Sequence, residues 1–175
     1  MLLLVRHAMP LATEAAPSYS WALTAEAQTA ARQMRAQLPA DAFLISSCER
    51  KAWETVGGTG ANVECDARFN EVIRTGEPWS GDFHRMRLLY IDGVRHPGWE
   101  PHDDAAARFQ AGVVAVQDRY RNCPIAIGTH GMVLTNWLVS IGAVSTADAT
   151  AFWSDLRFPD CIEVDTVNGS CRRYA

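Results

Sequence analysis

The chain has 175 residues and a mass of 19.3 kDa, a size at which roughly 70% of the unfolded chain's surface is buried on folding. Its 48% hydrophobic and 21% charged residues, with 12 glycines and 8 prolines, exclude the disordered, collagen-like and mini-protein classes. The balance of 16 Lys+Arg against 20 Asp+Glu leaves a net charge of -4, so no global field holds a nucleic acid or an anionic membrane, and any anion site is local. Lys51 is the one lysine, so converging positive charge is expected to be guanidinium, the group shaped for bidentate oxyanion contacts. The cysteines, at 48, 65, 123, 161 and 171, show no C-x-x-C pair and no zinc-ligand spacing, which reads as reduced thiols in a cytoplasmic protein. Arg6 and His7 interrupt the apolar opening too early for a signal-peptide core or a membrane span.

Residues 1–6 form an apolar run ending in Arg-His, the pattern of a strand buried on both faces. A loop is expected over 10–20. Thr24 then reads as the N-cap of a helix carrying Ala27, Ala30, Ala31, Met34 and Leu38, stopped by Pro39. Residues 42–46 read as a second buried strand, Glu49 to Val56 as a short helix closed by Gly57-Gly58, and 62–65 as a short third strand. This alternation opens a parallel sheet. Residues 67–103 are irregular, with turns at 76–79 and 97–99 and one helical patch at 82–91, the kind of insertion that roofs a site.

Asp103 or Asp104 is expected to cap a helix whose Phe109, Val113, Val116 and Tyr120 form an apolar stripe. Residues 124–129 read as a strand that again ends in histidine, His130. Helices follow at 131–141 and 146–156, and strands at 161–167 and 170–174 form a terminal hairpin across Asn168-Gly169. The expected architecture is one domain, residues 1–175, a three-layer α/β/α sandwich around a mainly parallel sheet, with 67–103 as its roof.

Ligands of open α/β sheets bind outside the carboxyl ends of the strands. Two buried strands end there in Val5-Arg6-His7-Ala8 and Gly128-Thr129-His130-Gly131, and a third supplies Ser46-Ser47-Cys48-Glu49-Arg50. Two histidines and two arginines converging at one edge make a cationic pocket of phosphate size. Other signals are weaker. A cysteine-phosphatase loop at Cys48 would need an arginine at position 54, which is Glu54, and Gly58-Thr59-Gly60 lacks the third glycine of a dinucleotide fingerprint. His96, His102, Asp103 and Asp104 lack helical i,i+4 placement and read as a solvated loop and cap rather than a metal site. No metal and no cofactor are expected.

The chain resembles the histidine phosphatase superfamily, which includes the phosphoglycerate mutases. The resemblance is carried by Leu4-Val5-Arg6-His7-Ala8 for the R-H-G/A signature and Trp21-Ala22-Leu23-Thr24 before the first helix. It continues through Ser46 to Thr55 for an S-x-x-x-R-A-x-x-T block, Phe69-Asn70-Glu71 with 76–81 for the acid loop, and Thr129-His130-Gly131 for the second histidine. It departs after R-H-A, where Met9-Pro10-Leu11 replaces a customary Glu-Thr, and at Cys48, where proline is common. The resemblance implies a metal-independent, histidine-type acid phosphatase (phosphoric monoester hydrolase) acting on a small phosphorylated metabolite. His7 is then the nucleophile that forms a phosphohistidine, and Arg6, Arg50 and His130 clamp the phosphoryl oxygens. Glu71 is the general acid, with Glu77 and Asp82 in reserve, and Arg108 is a candidate for the substrate entrance. Fixed guanidinium and imidazole donors suit a transition state whose charge spreads over the equatorial oxygens. The rival readings are a mutase, a phosphohistidine-protein phosphatase and a non-catalytic phosphate-binding module.

Overall fold

A computed structural model describes residues 1–79 and 81–174; Ser80, part of the acid-loop block, and Ala175 lie outside the described residues. Six strands form one sheet in the order β3-β2-β4-β1-β5-β6. They are β1 (Leu2–Arg6), β2 (Phe43–Ser46), β3 (Glu64–Cys65), β4 (Ile125–Thr129), β5 (Asp160–Asp165) and β6 (Ser170–Arg173). β1, β2, β3 and β4 run parallel, and the β5–β6 hairpin adds two antiparallel pairings beside β1. The fold is therefore the expected α/β class with a mostly parallel sheet.

Strand alternation sorts the core into two layers. Leu2 and Leu4 of β1, with Ile125 and Ile127 of β4, pack against α4 (His102–Arg119), α5 (Gly131–Ser140) and α6 (Ala149–Asp155) through Phe109, Val113, Leu134, Trp137 and Trp153. Leu3 and Val5, with Ala126, face the opposite layer, where α1 (Ala25–Gln37) and α2 (Arg50–Val56) contribute Met34 and Val56. β1 and β4 are buried along their whole length, which is why both read as unbroken apolar runs.

Helix ends follow the local chemistry with two exceptions. Thr24 caps α1, its hydroxyl accepting from Ala27 N at 3.2 Å. By contrast, α4 starts at His102 after Pro101, so Asp103 and Asp104 lie in its first turn rather than at its cap, where they complement the helix dipole. The single helix expected at 146–156 is divided into a 3-10 turn, Thr146–Asp148, and α6. Within 67–103 a 3-10 turn at Ala67–Phe69 precedes α3 (Phe83–Ile91), which packs against α5 and α6. No described helix is long and apolar enough to cross a membrane.

The approach of α2 to β4 aligns two strand ends with a helix start. A Cβ on Gly128 would lie 2.9 Å from Val56 Cγ1 and 3.1 Å from Ala52 O, so the glycine permits this distance. Gly128→Ala is expected to cost about 1–3 kcal/mol through overpacking, read as a lower urea midpoint at unchanged m value. An unchanged midpoint would mean that α2 moves freely off β4.

Candidate active site

The register of β1 on β4 pairs Arg6 with Thr129, and His7 N donates to Thr129 O at 3.0 Å. The two strand-end histidines therefore emerge side by side, with ring centroids 5.1 Å apart. β2 ends at the same height: Ser46 pairs with Gly128 and Ser47 N donates to Gly128 O at 2.8 Å. Both imidazoles are buried.

His7 is oriented by its own backbone. Nδ1 donates to Ala8 O at 2.8 Å, which leaves Nε2 as the basic nitrogen. Ala8 N donates in turn to Thr55 Oγ1 at 2.9 Å, and Thr55 Oγ1 donates to Lys51 O at 2.7 Å, tying the turn after β1 to α2. His130 Nε2 lies 2.8 Å from Ser47 Oγ and 3.6 Å from Glu49 Oε1, while its buried Nδ1 has no partner among the described residues. Burial holds both histidines well below the usual imidazole range, with neighbouring positive charge, including Lys51 and Arg6, acting in the same direction.

Arg6 Nη1 donates to Leu156 O at 2.6 Å, and its guanidinium stacks 3.6 Å over the Phe158 ring. Its Nε, like His130 Nδ1, is buried without a partner among the described residues. Burial pulls the Arg6 pKa down to about 10, opposed by Glu71 and Asp160, so it stays charged at neutral pH. A Cβ on Gly131 would lie 3.1 Å from both Arg6 Nε and Trp153 Nε1; glycine after His130 leaves that guanidinium its room.

The second cation is not Arg50. The Arg50 side chain is 56% exposed and its Nε donates to Glu54 at 2.7 Å on the outer face of α2. Lys51 takes the place at the cluster instead: it is buried, pairs with Glu49 and donates from Nζ to Ser18 O at 2.9 Å. Burial lowers the Lys51 pKa, opposed by Glu49. One residue of helix is a turn of about 100°, so the neighbours Arg50 and Lys51 face different surroundings. Counted from Ser47 rather than Ser46, the spacing to Ala52 and Thr55 lands on Lys51, a signal present in the sequence.

Glu71 does reach the cluster. Its carboxylate accepts from Val72 N and Val133 N at 2.9 Å and from Met132 N at 3.3 Å, so it sits at the start of α5 directly after His130. Glu71 N donates to Glu49 Oε1 at 2.8 Å. The site is therefore an alternation of cations and carboxylates, with Glu49 a member that the sequence pattern did not single out. Arg108 lies behind Glu71 rather than at an entrance. It is paired with Glu100 and donates to the carbonyls of Arg68, Asn70 and Glu71 at 2.7, 2.8 and 3.1 Å, bracing the segment that carries Glu71.

Of the reserve acids, Glu77 lines the same cavity as Glu71 but is held by two arginines, and Asp82 lies outside that lining. Glu77 binds Arg74 and Arg87, and Asp82 precedes α3 on the surface. His96 and His102 each donate to a backbone carbonyl, of Met86 and Tyr90, and among the described residues no three His, Cys, Asp or Glu side chains gather in a metal-holding group. A cavity of about 440 Å³ opens beside the cluster, lined by Tyr19, Cys48, Glu49, Glu71, Ile73 and Arg74 among others. Two larger clefts, about 510 and 540 Å³, lie at the N-terminal end of β1 and beside β6, away from both histidines.

The histidine environment sets a pH dependence. The folded state disfavours protonation, so as pH falls below the unfolded value of about 6.5 the unfolded chain binds protons first and stability falls, each ring contributing at most about 1.4 kcal/mol per pH unit. Urea midpoints measured at pH 7.5, 6.5 and 5.5 are expected to decrease in that order, with the decrease reduced in His130→Asn. A wild-type midpoint independent of pH across this window would contradict the neutral, buried pair.

No protein-family model and no curated protein matches the sequence. Solved structures do match over nearly the full length. A mycobacterial glucosyl-3-phosphoglycerate phosphatase in complex with inorganic phosphate aligns at TM-score 0.68 and 18% identity, covering 99% of this chain and 95% of its own. Bacillus stearothermophilus YhfR aligns at TM-score 0.69 and 20% identity, covering 98% and 94%. A phosphoserine phosphatase variant from Entamoeba histolytica in complex with phosphoserine aligns at TM-score 0.66 and 15% identity, covering 99% and 94%. At these identities the likeness is one of architecture: the chain shares the fold of these phosphatases.

Proposed function

We infer that the protein is a phosphomonoester hydrolase of the histidine acid phosphatase type, acting on a small phosphorylated molecule through a phosphohistidine on His7. The observation that supports this most directly is the pairing of a histidine tied at Nδ1 to Ala8 O with two buried, unpartnered groups, Arg6 Nε and His130 Nδ1. A buried donor without a partner is costly in a folded protein, and a phosphoryl oxygen satisfies it.

In the first half-reaction the Nε2 lone pair of His7 forms a bond to phosphorus as the bond to the leaving oxygen breaks. Glu71 supplies the proton that oxygen takes. In the second, water attacks phosphorus, Glu71 takes its proton, and the N–P bond breaks to release inorganic phosphate and restore His7. Arg6 and Lys51 offset the charge on the phosphoryl oxygens without moving. Ser47 Oγ accepts from Glu49 N at 3.2 Å; its hydroxyl hydrogen then serves His130 Nε2, and His130 carries its own proton on Nδ1, facing the phosphoryl group. Residues 1–175 act as one domain, with 67–103 roofing the leaving-group side, and the five free thiols fit the cytoplasm.

Two measurements test this reading. Brief incubation with labelled substrate and a quench that avoids acid is expected to trap an acid-labile, base-stable phosphoenzyme in the wild type and none in His7→Ala; a full yield in that variant overturns the nucleophile. The second uses leaving-group basicity, since an alkoxide needs a proton in the transition state and an activated phenolate needs little help. Glu71→Gln is expected to lose at least ~10²-fold in kcat/KM on an alkyl phosphate and under ~10-fold on p-nitrophenyl phosphate. Lys51→Met should lose about 10²-fold on both, with partial recovery in Lys51→Arg, whereas Arg50→Ala, removing a surface pair, should lose less than about threefold. Equal, mild losses on both substrates in Glu71→Gln would remove it from the acid role.

A further inference from the structure

We propose that the alcohol released from the substrate is uncharged and presents an apolar face to Tyr19 and Ile73. This rests on the phosphohydrolase reading and specifies its substrate class. Glu49, whose Oε1 lies 3.6 Å from His130 Nε2, and Glu71, whose N donates to Glu49, line a cavity that the phosphohydrolase reading assigns to the leaving group.

The charged groups in its lining already have partners within the protein. Arg74 donates from Nε to Glu77 at 3.0 Å and from Nη1 to Val72 O at 3.1 Å, and Glu77 also receives Arg87 at 2.7 and 2.8 Å. Glu49 is held by Lys51 and Glu71 N, and Glu71 by three backbone amides. Among the described residues of the lining, then, no cation is free to bind a second phosphate or a carboxylate, and such a group would meet three carboxylates on entering. An ammonium group would in turn have to draw a carboxylate away from a partner it already holds. A second anionic group brought there loses hydration with no compensating contact, and a cationic one would share carboxylates that already hold Lys51, Arg74, Arg87 and backbone amides.

Beside the polar Ser18, Cys48 and Asn70, the lining exposes two large apolar side chains, Tyr19 and Ile73, each 62% exposed. Outside the lining Trp79, 44% exposed, stands edge-on to Trp21 at 5.8 Å. Lys51 donates to Ser18 O and lies 5.9 Å from the Trp21 ring, so the cation that serves the phosphoryl group also anchors the segment presenting Tyr19. On the other side of His7, Phe158 is 38% exposed with its ring centroid 5.4 Å away. Tyr19 and Ile73 thus offer apolar surface beside ions that already hold partners, and a leaving group that buries hydrocarbon against these two side chains fits that arrangement.

The test is a kcat/KM series on n-alkyl phosphates from ethyl to hexyl, which share leaving-group basicity, beside 3-phosphoglycerate, O-phosphoserine, O-phosphoethanolamine and p-nitrophenyl phosphate. Values are expected to rise at least about tenfold from ethyl to hexyl, with hexyl phosphate above all three charged esters. Tyr19→Ser and Ile73→Ser should each reduce the hexyl-to-ethyl ratio at least about threefold. A flat chain-length profile, a charged ester preferred over hexyl phosphate, or a ratio unmoved in both variants overturns the inference while turnover of p-nitrophenyl phosphate keeps the phosphohydrolase reading. Absence of turnover on every ester, p-nitrophenyl phosphate included, overturns both.

Discussion

Across the β1–β4 pair Arg6 stands opposite Thr129, and His7 N donates to Thr129 O at 3.0 Å. This register is the constraint on which the site depends. A slip of one residue would exchange the two faces of β1, sending Leu2 and Leu4 to the layer that receives Leu3 and Val5, and would separate the histidines by a strand step. Because both faces are buried under helices, the core opposes that slip along the whole strand, and the alignment of His7 with His130 is held by apolar packing well away from either ring.

Packing the strand ends this tightly places ionisable groups out of water. Each group there has either a partner or a suppressed charge: Lys51 pairs with Glu49, Glu71 lies on the first amides of α5, and the histidines are held neutral by burial. A buried ion pair contributes little net stability against its desolvation, so such an arrangement is better understood as fixing geometry. Arg108 and Arg74 do the same one layer back, bracing the segment around Glu71 through its carbonyls and Glu77. Arg74 and Arg108 thus serve as internal struts, and Lys51 is the cation placed at the cluster beside Arg6.

That division explains which parts of the sequence reading correspond to the structure. The strands at 2–6 and 125–129, the Thr24-capped helix and the stripe through Phe109, Val113 and Val116 follow from hydrophobic period and capping, which act over one or two turns. The start of α4 was displaced because Pro101, having no N–H to lose and a suitable φ, serves as well ahead of a first turn as an aspartate cap does. Arg50 and Lys51 illustrate a finer difficulty. Both are cations at the start of one helix, and only the phase of that helix, set by Ala52 and Val56 against β4, turns Lys51 inward.

Chain order and residue type already carried the α/β class and the two strand-end histidines, since each is written in a local pattern, whereas Glu71 was singled out by the resemblance. The partners were decided by tertiary contact: Glu49 between Lys51 and His130, Arg108 behind Glu71, and Phe158 over Arg6 join residues 2 to 152 positions apart in the chain. Local periodicity states which face of an element is buried. It does not state which charged group across the interface will be close enough to neutralise, and in a low-dielectric interior that proximity decides protonation, side-chain direction and the shape of the site.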